Sequence, residues 1–529
     1  MAELEWSFPY SSQRMPVLAR NVVATSQPLA AQAGLRMLWE GGNAIDAAVS
    51  SAIALTVVEP TSNGIGSDAF CLVWAGGGLH GLNASGRSPK TLLAERFADR
   101  KEVPDLGWDS VTVPGAVSAW VALSERFGAL PFKRLFGPAI EYARQGFSVS
   151  PQTAHYWALA CEKYKGFRTF QETFCPQGRA PGPGQLFRSP GHAETLERIA
   201  DTRGEAFYRG ELAQLIETEA RSTGGLLTAE DLASHRPEWV RPISLEYRGY
   251  TLSEIPPNGQ GLAALQALGI LRHHPLPEHA VDTAASLHYQ IEAMKLAFAD
   301  ADRYIADPGW MDVEVADLLD EAYLARRAGE IDPQRARDPH YGQPRSGGTV
   351  LLVAADKEGN MVSFIQSNYA GFGSGIVIPG TGIAMQNRAA CFTLKPGHPN
   401  QVGPAKRPYH TIIPGFVSRG GEPLMSFGVM GGLMQPQGHV QVLIRIADYG
   451  QNPQAALDAP RWRVEGGLRV ALEPGFEPAV YEQLKQRGHE ITIAEARTVQ
   501  HGGGQAIYRL ENGYFGASDL RRDGQAVGY

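Results

Sequence analysis

TVLLVAADKEGNMVSFIQS, residues 349–367, sets two apolar runs on either side of a glycine-bearing turn. That pattern predicts a β-hairpin whose strands are buried. Just before it, residues 306–348 lose apolar density and gain Arg, Asp, Pro and Gly, ending in PRSGG. The expectation is an exposed linker running directly into a core strand at Thr349. Further strands are expected around GIVI, TIIPGFV, SFGVM and RVAL, with a helix near GHVQVLIRIADYG. Upstream, Thr25, Ser26 and Pro28 mark a helix start and Asn43 can cap AIDAAVSSAIALTVV, a helix apolar nearly all round that belongs in the interior. AFCLVW and LHGLNA (about 68–84) read as a second hairpin, residues 116–235 as polar helices, and 261–271 and 287–305 as further helices. Helices alternating with paired strands imply an α/β (α+β) protein in which helices cover stacked sheets.

With 529 residues the chain is long enough for several domains or one large interleaved unit. Apolar residues make up 43% and charged residues 19%, and the net charge is −7, a balance that gives no reason to expect nucleic acid or an anionic membrane as partner. No run of about 18 apolar residues is present, so no membrane span is expected. The four cysteines (Cys71, Cys161, Cys175, Cys391) contain no CxxC pair. Free thiols in a reducing, cytoplasmic compartment are the expectation, with neither a disulfide framework nor a zinc site. The G-x-S-x-G elbow, the phosphate-binding GxxxxGK[ST] and the H-E-x-x-H zinc helix do not occur, so no metal or cofactor is expected. His273-His274 reads as surface histidines, and GFGSG (371–375) as a tight turn between strand-like segments.

The chemically informative feature is Gly348-Thr349. A threonine hydroxyl is a weak nucleophile without an adjacent base. If the preceding peptide bond is cut, the new α-amino group is that base, and its ordinary pKa of about 7.7–8.0 suits proton transfer near neutrality. On spacing alone, the same pair is also how an ordinary strand begins after two glycines.

The stretch TVLLVAADKEGNMVSFIQSNYAGFGSGIVIPGTGIAMQN resembles the γ-glutamyltransferase family around its autocleavage site. EGGNAIDAAVSSAIALTVVEP, EAMKLAFADADRYIADP, KRPYHTIIP and ALDAPRW are similar to further family motifs, in order, along nearly the whole chain. The resemblance implies a four-layer αββα sandwich and a precursor cut into a large subunit (1–348) and a small subunit (349–529) that together form one intertwined fold. It makes Thr349 the nucleophile and places Ser367 where the family has a second, supporting threonine. Gly431 and Gly432, in GVMGGLMQPQG, match the pair whose amides form the oxyanion hole.

The family's residues for the glutamyl α-carboxylate and α-amine are not kept. The matching positions here are Ser85, Tyr369, Arg388, Cys391, His410 and Thr411. Without an acid at 391 a γ-glutamyl ammonium group has no partner. Arg388, and Arg87 two residues beyond the lost arginine position, offer cations suited to a carboxylate, while Tyr369 and His410 fill space. The expectation is a short acidic amide as substrate. The altered pocket resembles that of the amidohydrolase branch of the family, which includes an oxamate amidohydrolase; glutaryl-type cephalosporin acylases are the enzyme alternative, then a γ-glutamyl hydrolase or transferase. A catalytically inactive small-acid binding protein is the non-enzyme alternative. CFTLKPGHPNQVGPAKRPYH (391–410) is shorter than the lid-bearing segment of many transferases, which favours water as acceptor. A homo-oligomer is compatible with all of these readings.

Overall fold

The computed structural model describes residues 6, 12–339, 348–495 and 498–529. Two seven-stranded sheets lie face to face. In chain order their strands are β1 (Val17–Ala19), β2 (Val22–Thr25), β3 (Asp68–Ala75), β4 (Gly78–Asn83), β5 (Glu238–Val240), β6 (Ile243–Tyr247), β7 (Tyr250–Glu254), β8 (Gly348–Ala355), β9 (Met361–Tyr369), β10 (Gly415–Arg419), β11 (Glu422–Met430), β12 (Gly503–Leu510), β13 (Gly513–Ser518) and β14 (Gln525–Gly528). One sheet runs β14-β2-β8-β9-β3-β4-β5 and the other β1-β13-β12-β11-β10-β7-β6. All of these pairings are antiparallel.

Strand alternation explains the layering. Leu351 and Val353 of β8, Ile365 of β9, and Phe70 and Leu72 of β3 share a core with Phe416, Met430 and Ile507 of the facing sheet. The intervening residues Val350, Leu352, Phe364, Cys71 and Val73 point the other way, into a larger core under α1 (Pro28–Trp39) and α2 (Ala44–Val58). Both faces of these strands are therefore apolar, as the unbroken runs in the sequence require. α2 is buried along its full length and opens with a capping box between Asn43 and Asp46. On the outer face of the second sheet, α3 (Gly261–Leu271), α4 (Ala284–Tyr304) and α5 (Met434–Ala447) enclose a third core with Val417, Phe427 and Val429. The order helix, sheet, sheet, helix is the four-layer αββα sandwich, and β8 and β9 lie in the middle of one sheet.

Three expectations need correction. Residues 306–339 are not a bare linker: they contain short helices at Val315–Leu318 and Glu321–Ala328, held by buried Leu318, Leu324 and Ala328. Of the PRSGG segment, all but Gly348 lies outside the described residues. GIVI forms only an isolated bridge, Val377 to Ala384, after a turn in which Gly371, Gly373 and Gly375 have positive φ. Cys161 and Cys175 form a disulfide with their Cα atoms 6.0 Å apart. A spacing of 14 residues carries no sequence signature; the two cysteines meet because the helix Pro151–Lys163, which holds Cys161, and the next helix Arg168–Phe174, which Cys175 ends, fold back on each other. Among the described residues, no helix is long and apolar enough to cross a membrane.

Candidate active site

β3, β8 and β9 bring one polar residue each to the same end of the space between the sheets. Asp68, Thr349 and Ser367 each lie two positions from an inter-sheet core residue (Phe70, Leu351, Ile365), so the pleat turns all three inward. Ser367 is directly opposite Asp68 in the ladder, while the β8–β9 register breaks between Gly348 and Val350, leaving Thr349 at a bulge. Bulges re-aim a side chain. Here the Thr349 hydroxyl lies 3.2 Å from the Ser367 hydroxyl and accepts from Gln435 Nε2 at 3.4 Å. All three residues are fully buried.

The facing sheet contributes the turn after β11. Gly431 and Gly432 have φ of 127° and 63°, a region that favours glycine. The Gly432 carbonyl accepts from Gln260 Nε2 (2.9 Å) and from the backbone N–H of Gln435 (3.2 Å). Gln435 thereby ties the glycine turn to the Thr349 hydroxyl. Among the described residues, no hydrogen bond engages the Gly432 N–H.

Beside this pair lies a buried cation. The backbone N–H of Tyr369 donates to Ser367 Oγ (2.8 Å), and Tyr369 takes φ of 75°, a conformation that costs a non-glycine residue about 1–3 kcal/mol. Its ring lies 4.7 Å from the Arg388 guanidinium. Arg388 is wholly buried and donates through Nη1 to Thr411 Oγ1 at 2.7 Å, while Nε lies 3.9 Å from Asp68 Oδ2. Among the described residues, nothing hydrogen-bonds to Nε or Nη2. Buried guanidinium donors are rarely left unsatisfied, and this edge is the one a carboxylate grips bidentately.

Asp68 sets the local charge. Burial pushes its carboxyl up to about 7, although Arg388, the Gly86 N–H and Arg407 oppose the shift. His410 accepts at Nδ1 from the Ile412 N–H (3.3 Å), so its proton is on Nε2, which donates to Asp68 Oδ2 at 3.1 Å. Burial, reinforced by Arg388 and Arg407, holds the ring well below its usual pKa, and it is neutral. His410 is thus a partner for Asp68 and packs on Phe70 with ring centroids 4.7 Å apart.

Of the candidates read from the sequence, Thr349, Ser367, Tyr369, Arg388, His410 and Thr411 are brought together. Ser85 is near but occupied, bonded to Asn83 Oδ1 (2.7 Å) and to Asn258. Arg87 requires correction: it is partly exposed and bound to Asp307 (2.6 Å), with Glu238 at 3.9 Å. The strand β4 ends at Asn83, so the alternation that would have aimed Arg87 at the site does not extend to it. Its place beside the Ser85 segment is taken by buried Arg407, whose Nε donates to the Ser85 carbonyl at 2.9 Å. Asp68, Gln435 and Gln260 were missed. An acid opening an apolar strand, as in GSDAFCLVW, was the available signal for Asp68.

A cavity of about 290 Å³ opens in front of Tyr369, Thr411 and Cys391 and reaches Leu433. Residues 391–395, Asn400 and Tyr409 line one side of it, where the Asn400 side chain donates to the Cys391 carbonyl (2.8 Å) and accepts from the Tyr409 N–H (2.8 Å).

The profile described as Gamma-glutamyltranspeptidase matches residues 30–529. The chain belongs to this family. It is 36% identical over 520 residues to a glutathione hydrolase-like proenzyme of Bacillus subtilis, covering 96% of this chain and 98% of that one. It is 37% identical over 528 residues to the oxamate amidohydrolase proenzyme of Klebsiella pneumoniae, covering 97% and 99%. The crystal structure of a cephalosporin acylase from Bacillus halodurans, 51% identical, matches with a TM-score of 0.96 over 100% of this chain and 99% of that one. The protein is accordingly an amide-hydrolysing enzyme with the N-terminal nucleophile hydrolase fold.

Proposed function

We propose that the chain cuts itself between Gly348 and Thr349 and that the exposed threonine hydrolyses an amide whose acyl part carries a carboxylate. In the first reaction Thr349 Oγ1 attacks the Gly348 carbonyl carbon. The peptide C–N bond breaks, an ester forms, and the nitrogen takes a proton. Water then hydrolyses the ester, freeing the Gly348 carboxylate and the Thr349 α-amine. Residues 1–348 and 349–529 remain associated because β8 of the second piece pairs with β2 of the first. Three relatives with the same long coverage are named proenzymes, which supports the reading.

In the second reaction the α-amine takes the hydroxyl proton as Oγ1 attacks the substrate carbonyl. Ser367 holds the hydroxyl, and the amides of Gly431 and Gly432 receive the oxyanion, a role in which one donor is typically worth ~10²–10³ in rate. The amine leaves with a proton, and water hydrolyses the acyl-enzyme.

Arg388 carries the choice of substrate: a fully buried guanidinium with Nε and Nη2 unengaged, one side chain away from the Thr349–Ser367 pair. Oxamate, with its carboxylate directly beside the amide, fits so short a distance, and our first reading is oxamate plus water to oxalate and ammonia. The cavity of about 290 Å³ and the 51% identical acylase favour a second reading, in which the acid is amide-linked to a larger amine seated in that cavity. Ammonia release from oxamate, compared with turnover of glutaryl amides and γ-glutamyl-p-nitroanilide at equal enzyme, decides between them. Higher kcat/KM on oxamate supports the first reading, and higher kcat/KM on a glutaryl amide replaces it with the second.

A further inference from the structure

Arg522 is a second buried cation without a matching anion. It is 7% exposed and lines a cavity of about 300 Å³ that shares no lining residue with the one in front of Tyr369. Its stem lies over the start of β12, where a Cβ on Gly503 would sit 2.6 Å from Cγ. Among the described residues, nothing hydrogen-bonds to its guanidinium, and the nearest carboxyl, that of Glu59, is 3.8 Å from Nη1. Glu59 is a weak counter-ion: burial pushes its carboxyl up to about 7, although Arg522 and the Ser26 hydroxyl oppose the shift. Nε is sealed from solvent and Nη1 and Nη2 are not, so the open end of the guanidinium is the end that can meet a ligand. Asp523, next in the chain, is spent elsewhere: its carboxylate accepts from Ser150 Oγ and from the Gln152 and Thr153 N–H groups at the start of the helix Pro151–Lys163. That cap sets Arg522 beside the helix face formed by Tyr156, Leu159 and Lys163. Tyr156, Leu159 and Val499 give the cavity apolar walls, Lys163 adds a cation at the rim, and among the described residues no acid lines it. Gly431 also lines it, which puts the cavity against the glycine turn of the active site.

We propose that this cavity is a second ligand site, separate from Arg388, for a carboxylate carried on a flat apolar body. The carboxylate meets the Nη1–Nη2 end of Arg522, with Lys163 alongside, and the ring lies against Tyr156, Leu159 and Val499. A buried guanidinium with open donors is costly until an anion satisfies it. A bare inorganic anion would meet the charge and leave the apolar walls wet, so the combination selects an organic acid. The site does not depend on which amide is hydrolysed.

The test is a fluorine NMR titration of the native enzyme with p-fluorobenzoate, with neutral p-fluorobenzamide and inorganic sulfate as comparisons. Binding of p-fluorobenzoate should saturate. The benzamide should bind at least about tenfold more weakly, because the charge-assisted contact is available only to the anion. Sulfate should displace the probe only at about tenfold or greater excess, since it cannot use the apolar walls. Arg522→Gln should weaken the probe by at least about tenfold, while Arg388→Gln should leave its affinity unchanged. Leu159→Glu, at a position 56% exposed, sets a like charge at the rim without touching the core; it should weaken the probe severalfold even if Arg522→Gln does not fold. No saturation, equal affinity for the benzamide, or displacement by equimolar sulfate would each overturn the proposal. So would affinity unchanged in Arg522→Gln or Leu159→Glu, or lost in Arg388→Gln, which would place the probe in the active site instead.

Discussion

Replacing Arg388 with glutamine removes the charge and the forked donor pair while keeping a polar side chain in the same space. Two donors, Nε and Nη2, are unengaged. A carboxylate taking both gains two charge-assisted hydrogen bonds of net worth about 1.5–3 kcal/mol each, and the low end applies because Asp68, 3.9 Å from Nε, already meets part of the charge. The loss is therefore about 3 kcal/mol, or roughly 100-fold in kcat/KM for an acidic amide. The fold should tolerate the change: without the cation, the Asp68 carboxyl is pushed higher still and takes up a proton, so no buried charge is stranded. Self-cleavage should continue, since the Gly348 peptide bond presents no carboxylate. The assay is ammonia release from oxamate by the purified variant, beside a denaturing gel for processing. Unchanged kcat/KM in a fully processed Arg388→Gln enzyme would refute the assignment of Arg388 to the substrate.

Three further outcomes are expected. Below about pH 7 Asp68 is protonated and leaves the charge of Arg388 unopposed, whereas above it the carboxylate competes with an anionic substrate; KM for oxamate should rise as pH increases through about 7, and Asp68→Asn should flatten that rise in initial-rate profiles. Ser367→Ala removes the hydroxyl 3.2 Å from Thr349 Oγ1 and should slow processing by roughly 10–100-fold, read as persistent intact precursor on a gel time course. Glycylglycine should accelerate turnover little, because water is the expected acceptor; marked acceleration on γ-glutamyl-p-nitroanilide would instead indicate a transferase.

Much of this was legible because the apolar pattern and the site share the same strands. The runs in 349–367 gave β8 and β9 with nearly the right ends, since residues buried on both faces leave an unbroken signal. GIVI misled because a short apolar run between glycines packs equally well as an irregular turn. Arg388 was found together with its neighbours Tyr369 and Thr411, but Asp68 was not: it lies 320 positions away, opposite Ser367 in the pairing of β3 with β9. Arg87 failed for a local reason, because strand alternation was extended past the end of β4. The disulfide was missed because nothing in two cysteines 14 residues apart distinguishes a pair from two thiols.

The central claim is that Thr349 is both the cleavage point and the nucleophile. Intact-mass measurement and N-terminal sequencing of the purified protein test it most directly, with Thr349→Ala alongside. The account predicts two fragments from the parent chain, the smaller beginning TVLLVAA, and a single uncut, inactive chain from Thr349→Ala. A Thr349→Ala protein that is cut at the same bond and turns over its amide at the parent rate would contradict it.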